Sequence, residues 1–354
     1  MDFSLKIITD SEVDSLIERP DFLLSWSQLA KKDRKVTVIQ EPPFVITWYK
    51  QYKNKYTPVL CLGYNKTGEL VGLMPLAKSL DNDSIVHAGA HQAEYHGWVS
   101  DPEVDEDFPV ACLIGIKRRF NPKIWKWRWL PPQTPINWFS SKSLSQEGIF
   151  VKYRRQASPL WDLRDLEKLR QVQKNKSIKS KLNRYKKKGE FYLERVCDKA
   201  RTQELMPILK EQCDLRQEAI HSVRPFTNDS NKAKFYIEAQ NYPEANHFTV
   251  LWSNNKPIAF HFGPCDDQGV YWGLSSYDPL EGKNSPGTLL IIELAKKMRE
   301  EGFQYLDLTP GGTNIKSVLP ILARCYTCQP SFFQKKLSYG PTYPKEFGAL
   351  ANTY

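Results

Sequence analysis

One order of elements occurs twice in this chain of 354 residues, and that duplication limits its possible folds more than any single motif. Residues 58–64 (PVLCLGY) read as a strand, 65–69 (NKTGE) as a hairpin turn and 70–76 (LVGLMPL) as the returning strand. Further strands are expected near 85–88 and 95–99, and a helix over 108–119. Trp125, Trp127 and Trp129 alternate with Lys126 and Arg128, as in a strand with one buried face. The order then recurs. Residues 248–252 read as a strand, 253–256 as a turn, 257–262 as the returning strand and 270–274 as the next. Tyr95, Gly97, Ser100, Asp101 and Pro102 are echoed by Tyr271, Gly273, Ser275, Asp278 and Pro279, with a two-residue insertion. Ahead of the first copy, 7–32 read as one or two short helices and 44–52 as an aromatic helix covering a sheet. A tandem duplication of an α/β unit is expected.

The second copy closes with residues 285–316. Ser285 suits an N-cap, Pro286 the first helical position, and Gly287 leaves backbone amides uncovered. Leu289, Ile292, Leu294 and Ala295 make an apolar face, and Gly302 stops the helix. A strand over 303–308 follows and carries one carboxylate, Asp307. Such a helix start can hold an anion on its amides. A carboxylate in a buried strand needs a reason to be there, either catalysis or an anchoring role such as a salt bridge with Lys316. The first copy lacks this equipment: after Asp101-Pro102 it runs Glu103-Val104-Asp105-Glu106-Asp107, where acids would repel a phosphate.

Between the copies, Arg170 to Lys188 contains no acid. Ile178, Leu182 and Tyr185 make a narrow apolar stripe on a helix over 174–188 that is otherwise basic and ends at Gly189. This face is either simply solvated or contacts an anion. A second helix is expected near 201–220. The net charge of +10 agrees with a phosphate-bearing or polyanionic partner, whether coenzyme A, tRNA, a nucleotide-sugar or a lipid surface. The 41% hydrophobic and 25% charged content fits a soluble globular protein with ample core material, and no apolar run is long enough to span a membrane. The seven cysteines are scattered; Cys325 and Cys328 form one CxxC without a completing pair. With an N-terminus unlike a signal peptide, they read as reduced thiols of a cytoplasmic protein. His87, His91, Glu94, Tyr95 and His96 cluster in sequence but fit no standard metal spacing, so no metal is expected.

The order and spacing of four features resemble the CelD/BcsL group of GNAT-type acyltransferases, relatives of the FemAB enzymes. They are the basic helix at 174–188, Pro257-Ile258-Ala259 after a polar turn, Ser285-Pro286-Gly287 opening a helix, and Leu306-Asp307-Leu308 followed by Gly311-Gly312 and Lys316. The similarity is strongest over 170–320. It implies an α/β (α+β) fold of two tandem GNAT-like halves, 1–160 and 161–354, each a mixed, mostly antiparallel sheet flanked by helices. It also implies a sheet splayed to admit the pantetheine arm of acyl-CoA. Acylation of an amine or hydroxyl on a sugar, amino compound or cell-envelope or exopolysaccharide precursor would follow. Of the GNAT pyrophosphate signature, Gly287 stands at the last glycine position and Ser285 at the earlier one. FemAB relatives draw on aminoacyl-tRNA instead, which is the alternative. A non-catalytic relative that binds polysaccharide or a protein partner is the third reading.

Acyl transfer from a thioester requires a held donor, a stabilised carbonyl oxygen and a deprotonated nucleophile. Lys283, Ser285, Gly287 and Thr288 are the candidates for the donor's phosphates. Backbone amides over 258–262, with Phe260, are candidates for the thioester carbonyl. Asp307 and His261 are the candidate bases, and Tyr277 could protonate the leaving thiolate or simply pack. His91, Tyr95, His96 and Lys316 are candidates for the acceptor cleft.

Overall fold

The computed structural model describes residues 2–310 and 323–334. The first half runs β1 (Ser4–Thr9), α1 (Ser11–Ile17), α2 (Pro20–Lys32), α3 (Pro42–Tyr52), β2 (Tyr56–Tyr64), β3 (Leu70–Ser79), β4 (Ser84–His87), β5 (Val99–Ser100), α4 (Asp107–Phe120) and β6 (Ile124–Lys126). Its sheet has the order β1-β2-β3-β4-β6, with β5 also on β3. Every pairing is antiparallel except β4 with β6. The short α5 (Lys142–Gln146), the long β7 (Ile149–Asp162) and the helices α6 (Leu166–Lys174) and α7 (Lys176–Lys188) follow. The order then recurs as β8 (Phe191–Val196), α8 (Lys199–His221), α9 (Ser230–Ala239), β9 (Asn246–Ser253), β10 (Lys256–Pro264), β11 (Gly269–Tyr271), β12 (Leu274–Tyr277), α10 (Pro286–Glu300) and β13 (Tyr305–Asp307). As in the first half, the one parallel pairing joins the strands on either side of the helix, β11 and β13. The duplication expected from sequence is therefore present as structure.

The turns explain the hairpins. Asn65 Oδ1 accepts from the amides of Thr67 at 3.0 Å and Glu69 at 2.9 Å. Asn254 and Asn255 both take positive φ, 52° and 58°, as a two-residue turn between twisted strands requires. Other expectations need correction. Residues 7–9 belong to β1, not to a helix. Within 95–99 only Val99 joins a strand, and the tryptophan run leaves β6 after Lys126. There the Arg128 amide is bonded to His96 Nδ1 at 2.9 Å, so it is not available to a ladder. All three indoles are buried even so, at 5–8% exposure.

Strand pairing and helix packing both join the halves. β7 pairs antiparallel with β13 and with β14 (Ala323–Gln334), giving a sheet of order β11-β13-β7-β14. That strand crosses the 160/161 boundary expected from sequence. α3 packs on α9, with Phe44 edge-on to Phe235 at 5.5 Å, and Asp229 accepts from Tyr52 Oη at 2.6 Å and Lys55 Nζ at 2.9 Å. Trp48, Leu60, Phe235 and Phe260 belong to one apolar cluster drawn from both halves. Burying each such side chain contributes roughly 2–3 kcal/mol. No helix among the described residues is long and apolar enough to cross a membrane.

Candidate active site

The second-half sheet opens where β11 and β13 stop pairing. Their last pair is Tyr271 with Asp307, and the Trp272 amide still reaches the Asp307 carbonyl at 2.7 Å. Beyond that point the chain after β11 steps across to β10, while Leu308 donates to Pro159 O at 2.9 Å on β7. Gly273 permits the step, because a Cβ there would sit 2.6 Å from the Phe262 carbonyl. β12 is thus an edge of the sheet β12-β10-β9-β8. Asp278 N–H is bonded to Ile258 O at 2.9 Å, so ladder alternation turns the peptide groups of Ser275 and Tyr277 away from β10, toward the opening. The expectation placed these free amides over 258–262 instead. That segment lies in β10, between β9 and β12, and its amides serve the ladders. Phe260 points into the core shared by the halves and is 2% exposed.

α10 starts beside this edge. Ser285 is not the side-chain cap expected: with φ and ψ of 53° it is left-handed, and its hydroxyl caps nothing. Its carbonyl takes the Thr288 amide at 3.1 Å instead. Pro286 has no N–H, so the Gly287 amide is left at the open end. A Cβ on Gly287 would come within 3.2 Å of the Tyr277 ring, and the Arg216 guanidinium lies 4.6 Å from that ring's centroid. Among the described residues Arg216 Nε is buried without a hydrogen-bond partner. The basic α7 docks against the loop that precedes α10: Arg184 donates to Asn284 at 2.8 Å and Tyr185 to Glu281 at 3.0 Å. Its outer face, with Lys176, Lys179, Arg184 and Lys187, lines an open groove. Lys283 is exposed beside the same helix start.

The matching place in the first half is filled. Lys35, 6% exposed, pairs with Asp33 and with Asp105 at 2.6 Å. Phe108, at the start of α4, is wholly buried against Gly72 of β3.

Asp307 is a hub at the splay. It is 2% exposed; its Oδ2 accepts from Tyr95 Oη at 2.8 Å, and its Oδ1 from Ser158 Oγ at 3.1 Å and the Thr309 amide at 2.8 Å. Burial pushes its carboxyl up to about 6, against the pull of those three donors, and the charge of Glu94 adds to the rise. The oxygens of Tyr95 and Ser158 lie 2.8 Å apart. While Asp307 is ionised both hydroxyls can donate to it; once it is protonated, one is freed to donate to the other.

The histidines stand apart from this hub. His261 is fully buried, stacked on Trp272 at 4.5 Å, and burial holds it neutral, aided by His247 and Arg195. His96 is pinned between Ala90 O at 3.1 Å and the Arg128 amide, and stacks on His87. His91 is exposed, and its carbonyl accepts from Arg128 at 3.2 Å. Among the described residues no group of acids, cysteines and histidines is arranged to hold a metal. Gly311, Gly312 and Lys316 lie outside the described residues. Sequence reasoning did not single out Ser158, Arg128 or Arg216. Ser158 sits in a strand with no motif around it, and only the pairing of β7 with β13 brings it to Asp307. Glu94 stands in the histidine cluster of the sequence; it pairs with Arg128 at 2.9 Å, with 24% of its side chain exposed.

Two α/β halves, a splayed sheet and a helix beginning at the opening make a fold of two GNAT-like units in tandem. Residues 173–317 match the acetyltransferase (GNAT) domain. The fold is similar to a tandem GNAT protein from the clavulanic acid biosynthesis pathway, with TM-score 0.53, 10% identity, and 96% of this chain and 100% of that one covered. It is similar to FemX, with TM-score 0.53, 11% identity and coverage of 82% and 88%. L-PGS from Bacillus licheniformis gives TM-score 0.51, 10% identity and coverage of 90% and 93%. No curated protein matches the chain in sequence.

Proposed function

We propose that the protein transfers an acyl group from acyl-CoA to an amine or hydroxyl of a sugar, amino compound or envelope precursor, as in the CelD/BcsL group. The observation that carries this is the open edge of β12 lying beside the start of α10, with Tyr277 against Gly287. Acyl-CoA would lie along that edge, its thioester carbonyl meeting the amides of Ser275 or Tyr277. Its diphosphate would meet the Gly287 amide, with Ser285, Thr288, Lys283 and Arg184 around it. Tyr277 packs against Gly287 and is close to the thiolate that leaves. The half before residue 160, with its matching place filled, would shape the acceptor side, and the half after it would hold the donor.

Proton removal would fall to Asp307 with Tyr95 and Ser158. The carboxylate accepts a proton as the hydroxyls reorient, and the amine or alcohol it activates attacks the thioester. His261 is sealed from the cleft and stays neutral, so it packs rather than titrates. His91 and His96 would flank the acceptor through the Arg128–Glu94 pair. Titration calorimetry with acetyl-CoA and longer acyl-CoAs tests the donor: micromolar to millimolar binding by one of them is expected, and no binding at millimolar ligand by any refutes it.

A second reading is favoured by one feature, the unbroken basic face of α7. An aminoacyl-tRNA donor would lay its phosphates there, and its binding would weaken steeply with salt. Absent or salt-insensitive tRNA binding removes this alternative.

A further inference from the structure

Near the α3–α9 contact that joins the halves stands a cation without a counter-ion among the described residues. Lys232, in the first turn of α9, is half-buried, and among the described residues no carboxylate makes an ion pair with it. Its Nζ lies 5.6 Å from the centroid of the Phe226 ring. The neighbouring acids are committed elsewhere. Asp214 accepts from the amides of Phe226 at 2.7 Å and Thr227 at 2.9 Å, and from the Thr227 hydroxyl at 2.7 Å. Asp229 is held by Tyr52 and Lys55, and Glu94 by Arg128. A desolvated ammonium without a counter-ion is costly, and an anion brought by a ligand would offset that cost. Burial lowers its affinity for a proton, while Cys213, Asp229, Asp214 and Glu94 work the other way.

Its position decides what that ligand would be. Lys232 shares an electrostatic neighbourhood with Cys213 of α8, whose thiol lies against Ser276 of β12. Tyr236, one turn further along α9, packs on Phe262 of β10 at 4.8 Å. These contacts put Lys232 on the α8–α9 face of the splayed sheet, opposite α10. Glu94 enters from the first half, and its charge reaches Lys232, Tyr236 and Asp307. Lys232 and Asp307 thus share Glu94 as a common electrostatic neighbour.

We propose that Lys232 receives an anionic group, a carboxylate or phosphate, carried by the acceptor, so that the acceptor is an anionic amine or alcohol. This rests on the acyltransferase reading for the reaction but not for the charge preference, which can be measured alone. Two matched probe pairs are titrated into the full chain: β-alanine against β-alaninamide, and glucosamine 6-phosphate against glucosamine. The anionic member of at least one pair is expected to bind roughly tenfold more tightly, as a charge-assisted contact provides. The pair that responds tells carboxylate from phosphate. Lys232→Gln should bring the ratio to near one, and Lys232→Arg should restore it, with the affinity for acetyl-CoA unchanged in both. A ratio near one in the wild type, no binding by any of the four probes, or a ratio that survives Lys232→Gln overturns the proposal. If Lys232→Gln loses its thermal transition, Lys232→Met, which keeps the stem against Phe226, takes its place. Loss of acetyl-CoA binding with an intact anion preference refutes the donor reading alone; the reverse result refutes this inference alone.

Discussion

The Tyr95 hydroxyl donates to Asp307 Oδ2 at 2.8 Å across 212 residues of sequence. One bond thus ties the first half to the point where the second-half sheet opens, and it ends on the carboxylate that burial holds near neutrality.

Asp307→Asn keeps the shape, and its amide can still accept from Thr309 and Ser158, but it cannot take a proton. Acyl transfer, followed by release of free thiol, should fall by about 10²-fold or more while the thermal transition stays within a few degrees. Wild-type kcat/KM should rise with pH to a plateau above about 6, the value to which the Asp307 carboxyl is pushed. A variant with undiminished turnover removes Asp307 from the chemistry.

The same carboxyl makes stability depend on pH. Its folded value of about 6 lies above the ordinary carboxyl value of 3.8, so the folded state holds the proton more tightly. That contribution is complete below about 4 and is lost as pH rises through about 6. The difference corresponds to roughly 3 kcal/mol. Denaturant midpoints for wild type and Asp307→Asn, measured at pH 4.5 and pH 8, should diverge in that direction, the wild type losing more on going to pH 8.

Tyr95→Phe leaves Asp307 with one donor fewer. A loss of about 1–3 kcal/mol is expected, along with an upward move of the kcat/KM midpoint, because a donor that favours the charged form is gone. Ser158→Ala should act alike, and the double variant should lose less than the sum, since the two hydroxyls share one carboxylate. Additive losses would show that the two act independently.

At the α10 start, Gly287→Asp places a negative charge at the open amide and a side chain against the Tyr277 ring, 3.2 Å from the added Cβ. Acyl-CoA affinity should drop more than tenfold by calorimetry, with folding intact. Gly287→Ala, which adds the contact without the charge, should cost less. If cellular function survives both Gly287→Asp and Asp307→Asn, the protein is a binding module rather than a catalyst.

At the α3–α9 contact, Asp229→Ala removes the partner of Tyr52 and Lys55 and the N-cap of α9, whose side chain accepts from Asn231 N–H. A loss of about 2–4 kcal/mol is expected in chemical denaturation. A single cooperative transition should persist, because the apolar cluster still spans both halves.

Much of this was legible from local pattern. The period-two and helical repeats, the Asn turns and Gly302 lay out the central hairpins and the helix that follows them in both copies, though not β1, β7, β8 or α9, and their repetition exposes the duplication. The acid-free run to Lys188 marks α7, and the acids after Pro102 mark the copy that cannot hold a phosphate. Such signals are short-ranged: each depends on neighbours within one or two turns, which the sequence displays side by side.

What tertiary structure decided was which distant groups meet. Nothing near Ser158 signals its place, yet β7 carries it to Asp307 by leaving its own half for the other's sheet. His261 reads as a candidate base until the sheet closes over it. Ser285 reads as a cap until its backbone turns left-handed. Lys232 is one lysine among many until Asp214, Asp229 and Glu94 are each seen bound elsewhere. Burial and pairing across the two halves arise only when the chain closes, so the chemical character of these side chains is set by neighbours that no stretch of sequence contains.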